Sequence, residues 1–239
     1  EKTSANAGIL RVGRVKAPLP NKFATTAELN ATRTVGAKDT LPGEVVVAAK
    51  LMYPDSLNKI LKEDAHLSDF ARRLSRESSG YEDVVRLLFL VFKGEASYSE
   101  AEDLRTLLDI QYFADMDVVT VQQSSAMSPE DFASLLKFSQ RWMAQKGLDK
   151  PIMPIVRATE TQREFELFLA PVLKGRFPLL GVDMKGGFHY HTLRAVEKIK
   201  KKNAGVWIHA FQVPPKIRFA HHMLPSSQGM LMPYFGVDS

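Results

Sequence analysis

Residues 177–188, FPLLGVDMKGGF, form an apolar run that ends in an acid, a methionine, a lysine and two glycines. An amphipathic, basic segment follows at residues 191–202. This order is typical of a buried parallel strand that emerges into a functional loop and continues as a helix. Because glycine allows close backbone approach, we expect a ligand site at this loop, where Asp183, Lys185 and Gly186 lie.

The second half of the chain repeats this alternation of strand and helix patterns. Ser128, Pro129 and Asp131 supply an N-cap, a first-turn proline and a capping-box acid for one helix, and Gly147 suits its C-terminal end. Successive strands start about 24 to 35 residues apart, which is the length of a strand, a crossover helix and two loops. Helix patterns also cover residues 161–173 and 191–202, and the strand patterns are VVTVQQ (118–123), PIMPIVRA (151–158), FPLLGVDM (177–184), AGVWIHAFQV (204–213) and GMLMPYFGV (229–237).

The first half of the chain is less regular. Residues 44–52, EVVVAAKLM, are a compact β-branched run that predicts a buried strand. Residues 53–76 carry apolar residues at spacings of three and four, which predicts two helices broken near 64–68. Residues 84–92, VVRLLFLVF, fit either a strand or a helix, because periodicity does not separate the two. A further helix is expected at 99–113.

The number of strands decides the predicted fold class. Residues 1–43 are rich in proline and basic residues, and we expect loops there with one short strand at 9–15. Together with the other strand patterns this gives seven or eight strands, which favours a (β/α)8 TIM-type barrel over an open doubly wound sheet. We expect a single barrel domain over residues 1–239, in which 53–113 form a helical insertion or an irregular first half. The chain starts without methionine and stops directly after an apolar run, so we also expect a trimmed chain whose barrel is incomplete at its C-terminal end.

Composition bounds the classes of function. The 32 basic and 27 acidic residues give a net charge of +5, which mildly favours a polyanionic partner. Since the sequence holds no cysteine, disulfides, cysteine nucleophiles and cysteine-ligated zinc are excluded within this chain. No GxGxxG or GxxxxGK[ST] motif follows a strand. No secretory segment or long apolar span is present, and we expect a cytoplasmic protein that does not bind membranes.

Polar residues at the carboxyl ends of the strands are the candidates for chemistry, because barrel enzymes place their sites there. The amide side chains among them have two interpretations. They recognise the edge of a nucleobase, because an amide both donates and accepts hydrogen bonds, or they are ordinary polar residues where a strand meets water. An arginine clamps a phosphate or carboxylate, or it lies on the surface. An acid and a lysine face one ligand, or they form an ordinary exposed pair. The strand-end candidates are Gln122, Gln123, Ser124, Arg157, Thr159, Asp183, Lys185, His209, Gln212 and Asp238.

Two further groups have a functional and an ordinary interpretation. His189 and His191 form an HxH pair that suits a metal, but no second cluster has ligand spacing, so we expect surface or capping histidines, no metal and no cofactor. A cluster of lysines lies near the end of the last predicted helix. These lysines either interact favourably with the negative end of the helix dipole or bind the phosphates of a nucleic acid. This lysine cluster comprises Lys198, Lys200, Lys201 and Lys202.

The order of several segments carries a family resemblance. Residues 98–125, YSEAEDLRTLLDIQYFADMDVVTVQQSS, and FSQRWM at 138–143 are followed by PIMPIVRA, FPLLGVDMKGG, VWIHAFQVP at 206–214 and PYFGVDS at 233–239. In this order they resemble the barrel of the tRNA-guanine transglycosylase superfamily. Its members exchange guanine for a 7-deazaguanine base in tRNA or, in one branch, in DNA. The resemblance covers residues 98–239.

The sequence departs from that family at several positions that bear on the chemistry. Gln123 stands at the expected position of a base-recognising acid, and Arg157 replaces a glutamine. Asp183 and Met184 replace a glycine pair. The family's DSG motif, which carries one catalytic aspartate, has no match in the first half, and its zinc-binding cysteines are absent. By spacing, the family's nucleophile falls just beyond Asp238.

The resemblance implies a divergent base-exchange enzyme acting on tRNA or DNA with a 7-deazaguanine base as second substrate. Asp183 and Asp238 are then the candidate catalytic acids, and Gln122, Gln123 and Arg157 recognise the base. Further substrate contacts are expected at Ser124, Lys185, Gly186, His209 and Gln212, and contacts to nucleic acid at the lysine cluster. Two alternatives stay open. One is a non-catalytic barrel that binds nucleic acid, a second copy or a partner subunit, and the other is a metal-dependent hydrolase that uses the HxH pair.

Overall fold

The computed structural model of the protein describes most of the chain between residues 44 and 213. The described ranges are 44–78, 84–187, 189–202 and 206–213, together with strand segments at 2–3, 11–13, 23–29, 216–219 and 222–225. Side chains are described from residue 47 to residue 213 within these ranges, except that of Ser78.

Within these ranges the chain is α/β, with helices and strands that alternate after residue 44. The strands are β1 (Lys2–Thr3), β2 (Arg11–Gly13), β3 (Phe23–Leu29), β4 (Glu44–Met52), β5 (Val85–Phe92), β6 (Val119–Gln122), β7 (Ile152–Arg157), β8 (Leu179–Asp183), β9 (Trp207–Phe211), β10 (Lys216–Phe219) and β11 (His222–Pro225). The helices are α1 (Pro54–Lys62), α2 (Asp64–Ser78), α3 (Ala101–Phe113), α4 (Pro129–Lys146), α5 (Gln162–Gly175) and α6 (Tyr190–Lys202).

The strands pair in the order of the chain. One sheet has the order β1-β2-β3-β4-β5, in which β3, β4 and β5 are parallel and the first two pairings are antiparallel. A second sheet has the order β6-β7-β8-β9 and is parallel throughout. A single parallel bridge between Leu87 and Val118 joins the two sheets. Strands β10 and β11 form a separate two-stranded antiparallel sheet.

Side chains alternate between the two faces of these strands and build two apolar layers. On β9, for example, Trp207 and Phe211 belong to a cluster on the inner face, whereas Ile208 and Ala210 pack in the larger cluster with the helices. The inner cluster also takes Phe89 from β5, Ile155 from β7 and Leu179 from β8. Strands that are buried on both faces explain why their sequences read as continuous apolar runs.

Buried polar side chains interrupt the pairing between β5 and β6. Gln111 of α3 reaches the edge of β6, where its Nε2 donates to the Thr120 carbonyl at 3.0 Å and its Oε1 accepts from the Thr120 amide at 2.7 Å. The Thr120 hydroxyl donates to the Leu88 carbonyl at 2.8 Å. Gln122 in turn donates to the Leu90 carbonyl and accepts from the Leu90 amide at 3.0 Å. We call Gln111, Thr120 and Gln122 the polar seam.

The predicted eight-stranded (β/α)8 barrel is wrong. The parallel strands fall into two sheets, since beyond the Leu87–Val118 bridge the polar seam replaces the backbone ladder between β5 and β6. The first sheet begins with two antiparallel pairings, and among the described residues no strand pairing joins β9 back to it. Because the strands follow chain order without reversal, the arrangement also differs from a doubly wound sheet.

Most individual elements agree with their sequence patterns. The 44–52 run is β4, and the ambiguous 84–92 run contains the strand β5. The helical stretch at 53–76 contains α1 and α2, but they break at Glu63, and the predicted break at 64–68 lies inside α2. Ser128 and Asp131 form the expected capping box of α4. The short strand expected at 9–15 contains β2, but the sequence patterns missed β1, β3, β10 and β11, and the predicted strand at 229–237 lies outside the described residues. Every helix in the described part of the chain is too short or too polar to cross a membrane.

Candidate functional site

A small polar cavity lies at the carboxyl ends of β5, β7, β8 and β9. Its volume is about 150 Å³. Parallel strands present their carboxyl ends to one edge, and this edge is where α/β proteins bind ligands. The cavity is lined by Val91, Phe92, Lys93, Arg157, Asp183, Lys185 and Gln212. Four of these seven residues, Arg157, Asp183, Lys185 and Gln212, are strand-end candidates from the sequence.

Asp183 supplies the buried carboxyl group of the cavity. It is the last residue of β8, pairs in register with Arg157 on one side and Phe211 on the other, and is only 4% exposed. Its Oδ1 accepts a hydrogen bond from the backbone amide of Lys185 at 2.9 Å. Burial raises the pKa of Asp183 above its ordinary value, although that hydrogen bond and the charges of Arg157 and Lys185 act in the opposite direction.

Three cationic side chains face the same cavity. Lys93 follows β5, Arg157 ends β7 and Lys185 lies in the loop after β8. Within the described ranges, none of their charged groups forms a salt bridge or a side-chain hydrogen bond. Loss of hydration and repulsion from the Arg157 guanidinium lower the pKa of Lys185, which Asp183 partly opposes. The cavity therefore carries more positive than negative charge.

The two loops that bound the cavity adopt unusual backbone conformations and are tied together. Lys185 has φ 51° and Gln212 has φ 54°. These values lie in the left-handed region, which residues other than glycine rarely adopt. Gly186, at φ 68°, donates its amide to the Gln212 carbonyl at 2.9 Å. The Met184 amide donates to the Phe211 carbonyl at 2.9 Å. Strained residues held by surrounding contacts are a frequent property of functional sites.

Packing beside the cavity requires a glycine on β8. A Cβ atom at Gly181 would lie 2.7 Å from both Ile155 and Phe211. The Phe211 ring in turn stacks on Phe89 with centroids 4.4 Å apart. The glycine of FPLLGVDM therefore makes room for the aromatic ring next to the site, and Asp183 follows it on the same face two residues later.

Three predicted site residues on β6 and just beyond it form internal hydrogen bonds instead of facing the cavity. Gln122 joins β5 through the polar seam. Gln123 is buried, and its Oε1 accepts from the Arg157 amide at 2.9 Å. Ser124 donates to the Tyr98 carbonyl at 2.6 Å. These contacts give the three residues a role in holding the strands.

His209 is buried in the inner layer of β9, two residues before Phe211 and therefore deeper in the protein than the cavity. It pairs in register with Gly181, and its ring lies 4.6 Å from that of Phe211. Both ring nitrogens are buried, and among the described residues neither has a hydrogen-bond partner. Burial lowers the pKa of His209 to about 4, so the ring is neutral at physiological pH.

The lysine cluster lies at the opposite edge of the sheet from the cavity. The Lys200 ammonium donates to the Val206 carbonyl at 2.8 Å, just before the first residue of β9. Lys201 pairs with Glu197 at 2.6 Å. Since β9 rises about 3.3 Å per residue, its amino end lies about 13 Å from Phe211. The structure does not bring the lysine cluster and the Asp183 cavity together.

A larger groove at this opposite edge is mainly apolar. It has a volume of about 430 Å³ and lies between the end of α5 and the beginnings of β8 and β9. Arg176 is its one charged residue. It contains no candidate acid or base, and we therefore place the chemistry at the smaller cavity.

The remaining sequence candidates have different outcomes. Thr159 is buried and its hydroxyl donates to the Thr161 carbonyl at 2.8 Å. Asp238 lies outside the described residues. In the described part of the chain, no group of three or more histidine, cysteine, aspartate or glutamate side chains is arranged to hold a metal ion. His189 lies near enough for its charge to act on Asp183.

Lys93 is the main cavity residue that the sequence did not reveal. It follows the 84–92 run, whose assignment as strand or helix the periodicity left open. Once that run is known to be a parallel strand, the residue after its end becomes a site candidate by the same rule that selected Arg157.

Comparison with known proteins adds no family to this description. No protein-family model matches the sequence, and no curated protein matches it at a significant level.

Proposed function

We propose that the protein exchanges a guanine in nucleic acid for a 7-deazaguanine base and that Asp183 is the reacting carboxylate. One observation carries the proposal: a single carboxyl group, only 4% exposed, faces a cation-lined cavity at the carboxyl edge of the parallel strands. The reaction class comes from the resemblance of the segment order to that of the tRNA-guanine transglycosylases. The positive cavity agrees with a polyanionic substrate.

The proposed reaction needs a carboxylate and no redox partner. A carboxylate oxygen of Asp183 attacks the anomeric carbon of the target nucleotide, and the bond to guanine N9 breaks. Guanine leaves with the bonding electron pair and takes up a proton. The incoming 7-deazaguanine then attacks the same carbon through its ring nitrogen, loses its proton and releases the carboxylate. Partial desolvation favours this step, because it makes an ionised carboxylate a stronger nucleophile.

In this proposal the base is recognised by residues of the cavity. Gln122 and Gln123 already use their amides in internal hydrogen bonds. Gln212 lines the cavity just beyond the end of β9 and offers its side-chain amide to the base at the opening of the cavity. The target nucleotide is extruded from its stack to reach this edge of the sheet. We also propose a cytoplasmic location, where tRNA is accessible.

Incorporation of labelled guanine tests the proposal. The protein is incubated with labelled guanine and either tRNA or DNA, and the label retained in nucleic acid is measured. We expect incorporation by the unaltered protein and a loss of at least about a hundredfold for Asp183→Asn. Asp149→Asn is the matched control, since Asp149 is exposed and lies away from the cavity. Absence of incorporation into both nucleic acids refutes the proposal.

Trapping of the intermediate tests the assigned role of Asp183. Without an incoming base, the ester between Asp183 and the nucleotide should persist as a band that migrates above the free protein on a denaturing gel. Asp183→Asn should abolish that band. The thermal unfolding temperature of this variant should stay within a few degrees of that of the unaltered protein. A band of equal strength in the variant assigns the nucleophile to another residue.

A second candidate function is binding of nucleic acid without catalysis. The internal hydrogen bonds of Gln122, Gln123 and Ser124 favour it, because these side chains hold strands together instead of facing a base. In that case the unaltered protein retards tRNA or DNA on a native gel but incorporates no guanine. Reversing the charges of Lys198 and Lys202 should then abolish retardation, whereas Asp183→Asn should leave it intact.

A further inference from the structure

We propose that Lys93, Arg157 and Lys185 form a phosphate-binding subsite beside Asp183. Its ligand is the phosphodiester group of the nucleotide whose base is exchanged, so that this inference rests on the proposed function. The subsite would fix the sugar so that its anomeric carbon faces the carboxylate.

The balance of charge around the cavity indicates an anionic ligand. Three cationic side chains and one carboxyl group line it, which leaves a net positive charge. Arg157 and Lys185 lie close enough to repel each other, and the negative charges of Asp183, Glu164 and Glu160 act in the opposite direction, although of these only Asp183 lines the cavity. In the described ranges the three cations have no salt-bridge partner in the protein. A bound phosphate would supply the missing negative charge.

The chemistry of the three side chains fits phosphate. A guanidinium offers parallel N–H donors that match two phosphate oxygens, and ammonium groups add donors without a fixed direction. Asp183 is already engaged by the Lys185 amide at 2.9 Å. This bond orients the carboxylate through one of its two oxygens, and the charged groups of the three cations remain available to the ligand.

The size of the cavity favours a group over a whole nucleotide. Pockets that enclose small-molecule ligands typically have volumes of about 300–1,000 Å³, whereas this cavity has about 150 Å³. A phosphate group fits inside, while the sugar and the extruded base remain at the opening.

The backbone around the cavity supports a preformed site. Four non-glycine residues in the described part of the chain have positive φ, and two of them, Lys185 and Gln212, line this cavity. The Gly186 amide bond to the Gln212 carbonyl joins their loops. Since a left-handed conformation is unfavourable for lysine and glutamine, these contacts hold the Lys185 side chain at the cavity.

Calorimetric titration with guanosine and guanosine 5′-monophosphate tests the subsite. We expect the monophosphate to bind at least about tenfold more tightly, which corresponds to roughly 1.4 kcal/mol. Arg157→Gln and Lys185→Gln should each remove most of that preference. Lys174→Gln is the matched control, because it removes one exposed charge near the end of α5, at the opposite edge of the sheet, and should retain the preference. Equal affinities of the unaltered protein for the two ligands would overturn the inference.

Two controls accompany the titration: one separates loss of binding from loss of folding, and the other tests whether the bound phosphate group can come from nucleic acid. If Arg157→Gln unfolds, the exposed Lys93→Gln and Lys185→Gln variants carry the test alone. Inorganic phosphate and a single-stranded oligonucleotide should both displace the monophosphate. Failure of the oligonucleotide to compete overturns the assignment to nucleic acid.

The subsite and the exchange reaction fail in distinguishable ways. Guanine incorporation without any preference for the monophosphate refutes the subsite alone. A phosphate preference that depends on Arg157, without guanine incorporation into tRNA or DNA, supports the subsite and refutes the exchange reaction.

Discussion

The ring of Phe89 stacks on the ring of Phe211 at a centroid distance of 4.4 Å and an interplanar angle of 10°. Three strands, β6, β7 and β8, separate their strands in the chain order. Neighbouring strands lie about 4.8 Å apart, so a flat sheet would place the two rings about 19 Å apart. The contact shows that the parallel strands curve until β9 faces β5 across the inner layer, although no pairing among the described residues closes the curve.

Removing one of these rings should destabilise the protein strongly. Phe211→Ala leaves a cavity in the inner layer and is expected to lower the free energy of unfolding by about 3–5 kcal/mol, measured by urea denaturation. Phe113→Ala is the control, since Phe113 is 60% exposed and should cost much less. Equal losses for the two variants would show that the inner layer contributes little to stability.

The polar seam should tolerate no apolar replacement. Gln111→Leu leaves the buried amide and carbonyl of Thr120 without their side-chain partner, and each orphaned group costs about 1–3 kcal/mol. We expect a lower free energy of unfolding and faster hydrogen exchange of the Thr120 amide. Gln145→Leu, at an exposed position of α4, should change neither quantity. Unchanged Thr120 exchange in Gln111→Leu contradicts the proposed role of the seam.

His209 should make the protein less stable in mild acid. Burial lowers the pKa of His209 from 6.5 to about 4, so between these values the unfolded chain binds a proton that the folded protein excludes. Stability therefore falls as the pH drops from 6.5 to 4, by up to about 3 kcal/mol at 1.4 kcal/mol per pH unit. Unfolding of His209→Leu at several pH values should show a weaker dependence in that window.

The comparison with the unaltered protein isolates the histidine. Asp183 contributes with the opposite sign, because a raised pKa makes stability fall as the pH rises above the ordinary aspartate value. That contribution is common to both proteins and cancels in the difference. His66→Leu, at an exposed site, should retain the full dependence, and equal pH profiles for His209→Leu and the parent would disprove the prediction.

The capping box of α4 should have a measurable effect on both stability and titration. Ser128→Ala removes the hydroxyl that accepts from the Asp131 amide at 3.1 Å, and loss of such a cap typically costs about 1 kcal/mol. The Ser128 hydroxyl and amide also lower the pKa of Asp131, so the variant should raise it toward the ordinary value in a carbon-detected NMR titration. Ser125→Ala, at an exposed position outside the helix, should leave the pKa of Asp131 unchanged.

Many of the helices and strands could be predicted from the sequence, because they depend on interactions between residues that are close in the chain. Each of their patterns involves only residues that are close in sequence, so it predicts its own element. Examples are the capping box of Ser128 and Asp131, the left-handed Gly147 and the β-branched run of β4. The rule that chemistry follows the ends of parallel strands selected Arg157, Asp183, Lys185 and Gln212, and the structure brings these four together.

Errors arose where one segment depends on a distant one. Gln122 and Gln123 stand at a strand end like true site residues, and only the position of β5 and β7 shows that their amides join neighbouring strands. Lys93 was missed because strand β5 reads equally well as a helix. The barrel prediction was wrong because Gln111 occupies the edge of β6 that the distant strand β5 would use, and because the first sheet begins with antiparallel pairings.

By itself, the sequence determined the alternation of strands and helices and placed Asp183 at the exit of a buried strand. Both depend on short-range effects: capping, side-chain periodicity and the conformations that glycine and proline allow. Only the tertiary structure decided how far the sheets curve and which charges share a cavity. Curvature and cavity depend on contacts such as Phe89 with Phe211, and the free energy of such contacts is set by the packing of residues far apart in the chain.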